Sequence, residues 1–208
     1  MPRKTTILIL ILATVTGILL FLAVSEGKRG KAPQTTIVPT KKEVPKTATV
    51  FFSPQTIDLS SGTATPTSSV DILVDTGNQE IVGVQIEAQY DPKSLSNLKL
   101  TPGNDATSFF GPNVAILFNE VNQETGRISF AIAIQPQEKT RKGIGRIASL
   151  SFAKAFNAQG TATVSLLDKT IVTILGEEES ILKEALPLNI ILSSPTTQPP
   201  YIPPTVTQ

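Results

Sequence analysis

The sequence holds no cysteine, no histidine and no tryptophan, and only two tyrosines. Without cysteine there is no disulfide, no thiolate nucleophile and no sulfur ligand, although that absence alone fits either side of a membrane. Without histidine, the side chain that most often moves protons near neutral pH is missing, and so is the usual nitrogen ligand for metals. Tyr90 and Tyr201 are the only tyrosines, so little is available to stack on a sugar ring. Charge of one sign is scarce too. The 18 Lys+Arg and 17 Asp+Glu leave a net charge of +1. Lys28, Arg29, Lys31, Lys41, Lys42 and Lys46 hold the local positive excess, which leaves the region after Thr47 mildly acidic. A nucleic-acid groove needs clustered Lys and Arg, usually with stacking aromatics, and is excluded on that ground.

The carboxylates do not assemble into chemistry either. A glycosidase needs two facing carboxyl groups. Asp71, Asp75, Glu80, Glu87 and Asp91 crowd one region, but Asp75 and Asp91 read as turn formers and Glu87 as a lone charge on an exposed face. Asp75-Thr76-Gly77-Asn78 and Glu177-Glu178-Glu179 offer oxygen ligands, yet neither has the spacing of a calcium loop. The expectation is a protein that is not an enzyme and carries no metal or cofactor.

What is present begins with an apolar run. Thr5 to Val24 has no charged residue and is long enough to cross a hydrocarbon core of about 30 Å as a helix. A cleaved signal peptide competes, since Ala23-Val24-Ser25 offers small residues at a cleavage site, but the run exceeds the usual secretory length of about 7 to 15 residues. The basic residues after the run outnumber Arg3 and Lys4, so charge bias read locally places the rest of the chain inside. Pro/Thr-rich flanks of the kind that make wall-spanning stalks favour the outside. The expected order is a cytoplasmic stub at 1–4, a transmembrane helix or signal anchor at 5–24, and a Pro/Thr/Lys linker at 25–48. A folded domain follows at 49–192, and a disordered Pro/Thr-rich tail at 193–208. The chain is thus expected to be a single-pass membrane protein with its domain at the cell surface. The basic linker reads as contact with anionic headgroups or wall polymer, or as a plain solvated linker.

From Thr49 to Leu192 apolar residues alternate with polar ones, and turn residues recur about every eight to twelve positions. That pattern predicts an all-β antiparallel β-sandwich. Strands are expected near 49–52, 57–59, 69–75, 82–90, 98–101, 115–121, 127–134, 144–152, 161–167, 171–175 and 188–192. The segment Glu177 to Glu184 reads as loop. Alternation puts Val84, Ile86, Ala88 and Tyr90 on the core face and Gln85, Glu87 and Gln89 on the other. In the same way Ile128, Phe130, Ile132 and Ile134 face inward and Ser129, Ala131 and Ala133 outward. Ala148, Leu150 and Phe152 are expected inside, with Ile147, Ser149 and Ser151 outside.

One stretch is more specific. Val74-Asp75-Thr76-Gly77 leads through a turn into Val82-Gly83-Val84 and an alternating strand that stops at Tyr90-Asp91-Pro92, with Leu95 beyond. Pro92 removes a ladder donor, Asp91 bonds its own following amides, and Tyr90 buries its ring with the hydroxyl at the rim. In order and spacing these residues resemble the cohesin family. Phe52-Ser53-Pro54 with Leu59 and Gly62, the Gly126 to Phe130 hairpin and the Gly145 to Phe152 strand resemble it as well.

The resemblance covers nearly the whole folded part and implies a jelly roll of about nine strands, related in fold to certain carbohydrate-binding modules. It also implies a partner-binding role towards dockerin modules, with calcium belonging to the dockerin. Strands 82–90, 115–121, 127–134 and 144–152 are matched to the family's flat binding face. Its outward residues here are Gln85, Glu87, Gln89, Asn119, Ser129, Ala131, Ile147 and Ser149, with Leu117 as an apolar anchor. The expectation is one module with no dockerin of its own, a departure from the family's pattern that leaves another surface protein open as partner. Polysaccharide binding on the same fold is the alternative, and the missing tryptophan counts against it.

Overall fold

Pro54 and Pro187 each remove a ladder donor near one end of the folded region, and around those two positions the outer strands change sheets. The computed structural model describes residues 44–60 and 67–193, together with positions 14, 16, 19 and 21. The chain divides into two units, Met1–Lys42 and Glu43–Gln208. In the first, Thr14, Thr16, Leu19 and Phe21 are helical, and the rest of the expected anchor lies outside the described residues. No helix among the described residues is long and apolar enough to cross a membrane. The tail from Ser194 also lies outside the described residues.

The second unit is built of twelve strands: β1 (Ala48–Ser53), β2 (Thr56–Asp58), β3 (Ser68–Asp75), β4 (Ile81–Gln89), β5 (Leu95–Pro102), β6 (Val114–Asn122), β7 (Arg127–Ile134), β8 (Ile144–Lys154), β9 (Thr161–Leu166), β10 (Ile171–Ile174), β11 (Leu182–Ala185) and β12 (Leu188–Ile191). One sheet has five strands in the order β11-β1-β3-β8-β5. The other has seven, ordered β2-β12-β9-β4-β7-β6, with β10 paired to β4 beside β9. The expectation of purely antiparallel sheets needs correction, because β11 runs parallel to β1 and β12 parallel to β2. The first and last strands cross together from one sheet to the other, β1 into β2 at Pro54 and β11 into β12 at Pro187. Splitting those strands also raises the count above nine. Residues 182–185, read as loop, form β11; pairing with β1 makes this strand, since its own Leu-Lys-Glu-Ala sequence lacks a strand signal.

The core lies between the sheets. Val84, Ile86, Ala88, Ile128, Phe130, Ile132, Ala148, Leu150 and Phe152 are buried as the alternation requires. Burying each large apolar side chain contributes about 1.5–3 kcal/mol. Tyr90 is 3% exposed and its hydroxyl donates to Gln123 Oε1 at 3.2 Å, so its polar tip is satisfied at the sandwich edge.

The two turns that bound β4 work as their residues dictate. Asp75 Oδ1 accepts from the Gly77 amide at 3.0 Å, and Gly77 takes φ 57°, where an added Cβ would stand 2.6 Å from the Thr47 carbonyl oxygen. At the far end Asp91 accepts from the Lys93 amide and the Ser94 hydroxyl, both at 2.9 Å. Those bonds, the Lys93 amide first, hold the Asp91 carboxyl below its ordinary value. Gly83 serves close approach, because β7 and β10 flank it on both sides and a Cβ would meet Ile132 O at 3.1 Å and Ala133 Cβ at 3.2 Å.

Candidate partner-binding face

Four cross-strand rows make up the outer surface of the seven-stranded sheet. Gly83, Ala133 and Ala115 form the first and Gln85, Ala131 and Phe118 the second. Glu87, Ser129 and Glu120 form the third, and Gln89, Arg127 and Asn122 the fourth. β10 extends the first two rows with Thr173 and Ile171, and β9 extends the fourth with Ser165. Most of these side chains are small or neutral.

Glu87 is not the lone exposed charge the sequence suggested. It is 7% exposed, and its Oε2 accepts from Arg127 Nη2 at 2.7 Å, Arg127 Nε at 3.2 Å and the Ser129 hydroxyl at 2.9 Å. The Thr170 hydroxyl accepts from the Glu87 amide at 3.2 Å and donates to its carbonyl at 3.1 Å, tying the β9–β10 connection to β4. The buried carboxylate is therefore saturated by donors from its own sheet, which is what allows it to be buried at all. Gln89 Nε2 donates to the Thr125 carbonyl at 2.7 Å and fixes the β6–β7 turn.

Beside the pair the face turns apolar. A pocket of about 130 Å³ opens between Gly83, Gln85, Leu117, Phe118, Ala131 and Ile171. Ala131, expected on an open flat surface, is 4% exposed because it forms the floor of this pocket. Leu117 rises at its side, 66% exposed. The Thr173 hydroxyl in the pocket wall is spent on the Gly83 carbonyl at 3.2 Å. A second pocket of about 250 Å³ adjoins through Ala133 and reaches Pro136, Thr140 and Leu175.

Three expected face residues lie elsewhere. Asn119 sits opposite Phe130 on the core side of β6, and its Nδ2 donates to the Leu100 carbonyl of β5 at 3.1 Å. The cause is a bulge at Leu117, where the β6–β7 register shifts and the strand changes phase, so that Phe118 and Glu120 face outward instead. Ile147 is fully buried, because a bulge against β3 leaves it unpaired between Arg146 and Ala148 and turns it into the core. Ser149 points outward, but from the opposite sheet. It donates to Asp71 Oδ1 at 2.6 Å and accepts from Arg146 Nη1 at 3.3 Å. β8 pairs only with β3 and β5, so β9 and not β8 stands beside β4 and brings Thr163 and Ser165 to the face. The reading from sequence also missed Arg127, although the alternation that places Ser129 and Ala131 outward places Arg127 there too.

Among the described residues no three Asp or Glu side chains converge as a metal site would require.

No protein-family model and no curated protein matches the chain. Solved structures do. The cohesin CaCohA2 from Clostridium acetobutylicum superposes with a TM-score of 0.53 at 16% identity, over 72% of this chain and 92% of that one. The third cohesin of ScaC from Acetivibrio cellulolyticus, solved in complex with the ScaB dockerin, gives 0.51 at 17% identity over 71% and 99%. The OlpA cohesin of a cohesin–dockerin complex from Clostridium thermocellum gives 0.51 at 11% identity over 70% and 98%. With two face-to-face sheets closed by parallel first and last strands, the folded unit of this chain has the fold of a cohesin domain.

Proposed function

We propose that this chain is a membrane-anchored, extracellular docking module of cohesin type, which holds a dockerin-bearing protein on the outer face of the seven-stranded sheet and catalyses no reaction. The observation that carries the reading is that face itself. Its buried carboxylate Glu87 is paired within the sheet by Arg127, Glu120 is the one acidic side chain left beside it, and an apolar pocket lies open at its centre. Such a surface keeps its desolvation cost low when a partner covers it. The similar structures from A. cellulolyticus and C. thermocellum were solved with dockerins bound, which supports the same class of partner here. Polysaccharide is less suited to the surface, since Tyr90 is buried and Phe118 forms a pocket wall, leaving no aromatic platform on this face.

Anchoring rests on the uncharged run from Thr5 to Val24, and the extracellular placement on the Pro/Thr-rich segments at both flanks. The docking test is titration of the full chain in a lipid nanodisc with a panel of purified dockerin modules, with calcium and with chelator. Calcium-dependent binding of at least one dockerin is expected, the calcium entering with the dockerin; retention on insoluble polysaccharide with no dockerin bound would reverse the choice of partner. For the anchor, the chain should stay in the membrane fraction after an alkaline wash and be cleaved by protease added to intact cells. Release by the wash would contradict it.

A further inference from the structure

The strand order leaves two long edges on one side of the sandwich, β5 at the end of the five-stranded sheet and β6 at the end of the other. On the opposite side the edges β11 and β2 have only four and three residues, too short to template another strand. β6 is broken by its bulge at Leu117. β5 shifts register between Ser96 and Lys99, but from Lys99 to Pro102 its ladder with β8 is regular. The backbone groups on its free side therefore stand at the spacing another strand would match.

Those groups are taken up one by one. Gln123 Oε1 accepts from the Leu98 amide at 3.3 Å and its Nε2 donates to the Leu98 carbonyl at 2.6 Å, so a single side-chain amide does what a peptide of a neighbouring strand would do. The Tyr90 hydroxyl donates to the same Oε1 at 3.2 Å, which fixes the end of the amide that faces it. Asn119 Nδ2 donates to the Leu100 carbonyl at 3.1 Å. Pro102 has no N–H, and its carbonyl accepts from the Asn104 amide at 3.2 Å. Of the row at positions 98, 100 and 102 this leaves the Leu100 N–H.

We infer that Asn119 and Gln123 form a strap that shuts the β5 edge against a second copy of this chain. The ladder defines the pairing that the strap prevents. Two β5 strands running antiparallel about a twofold axis at Lys99 would join Leu98 of each copy to Leu100 of the other by four hydrogen bonds. Every one of those bonds needs a group the strap holds, either the Leu98 amide with the Leu100 carbonyl or the Leu98 carbonyl. The same register sets the two exposed Lys99 side chains directly opposite each other, where like charges repel. Strap and lysine guard one edge in two ways, independently of which partner the outer face of the other sheet holds.

Both strap side chains are exposed, so truncating them leaves no cavity. The full chain, at one copy per lipid nanodisc, is sedimented as the parent, as the double variant Asn119→Ala with Gln123→Ala, and as that variant carrying Lys99→Glu. The double variant should associate about tenfold more tightly than the parent or better. An equimolar mixture of its Lys99 and Lys99→Glu forms should associate about threefold more tightly than either form alone, an advantage that shrinks at high salt. Double-variant discs that sediment like the parent would overturn the inference. A mixture no tighter than its components would overturn it too, because the association would then run through another surface. If the double variant unfolds, amide hydrogen exchange on the parent decides: the Leu98 N–H should exchange about tenfold more slowly than the Leu100 N–H, and equal rates would mean that the edge is open.

Discussion

The two sheets show outward faces written in the same alternating code, yet they spend their polar groups differently. On the five-stranded sheet Asp71, Ser149, Arg146 and Asp105 form a chain of hydrogen bonds that runs off the strands and holds the 103–113 loop. That face serves the fold. On the seven-stranded sheet the polar groups are satisfied within the sheet, and what remains is an apolar pocket with one spare carboxylate beside it. A face becomes available to a partner when its own polar groups need nothing from outside.

The comparison breaks most sharply at Arg127. Replacing it with Ala leaves the Glu87 carboxylate buried without its cation, at a cost of about 2 kcal/mol once the partial exposure of the Arg side chain is discounted. Thermal unfolding should fall by about 4–8 °C, and adding Glu87→Gln should recover most of it. An unchanged midpoint for Arg127→Ala would mean that the pair does not carry the face. Next in size is Gly83→Ala, which crowds the approach of β7 and β10 and should cost about 1 kcal/mol by urea titration, with Ala131 methyl signals displaced.

On the opposite sheet the expected effect is smaller and depends on pH. The Thr107 hydroxyl and amide, with Ser108 and Arg146, hold the Asp105 carboxyl well below the usual carboxylate range. A carboxyl depressed in the folded state adds stability above its unfolded value near 3.9, and that stability is lost as pH falls through the folded value. Asp105→Asn should therefore weaken the domain at neutral pH and lose its difference from the parent as pH drops below about 4. A difference that stayed constant down to pH 2 would place the effect in packing, not charge. The smallest effect is Leu117→Ser, which should leave stability within about 0.5 kcal/mol because that side chain faces solvent, while weakening any partner that uses the pocket.

How much of this was legible beforehand follows from the ladders. β4 and β7 pair from Gly83 to Gln89 without interruption, so simple alternation sorted their faces correctly. β6 and β8 each carry a bulge, and one unpaired residue is enough to send Asn119 to the core side and Ile147 into the core. The β6 bulge has no glycine beside it, and the one cue at the β8 bulge is Gly145 two residues earlier, which does not say which residue is left unpaired. The sheet to which β8 belongs depends on strand order, about which alternation is silent. β11 exists only through its pairing with β1. The pocket combines a bulge with a strand contributed from β10, and no segment of sequence contains both.

The most direct test of the central claim sets the two faces against each other. With a dockerin that binds the parent chain, affinity is measured for Ala131→Arg on the seven-stranded face and Ser151→Arg on the five-stranded face. Loss of at least tenfold for the first with no change for the second is the predicted result. The reverse pattern, or equal loss from both, would contradict the assignment of the docking face.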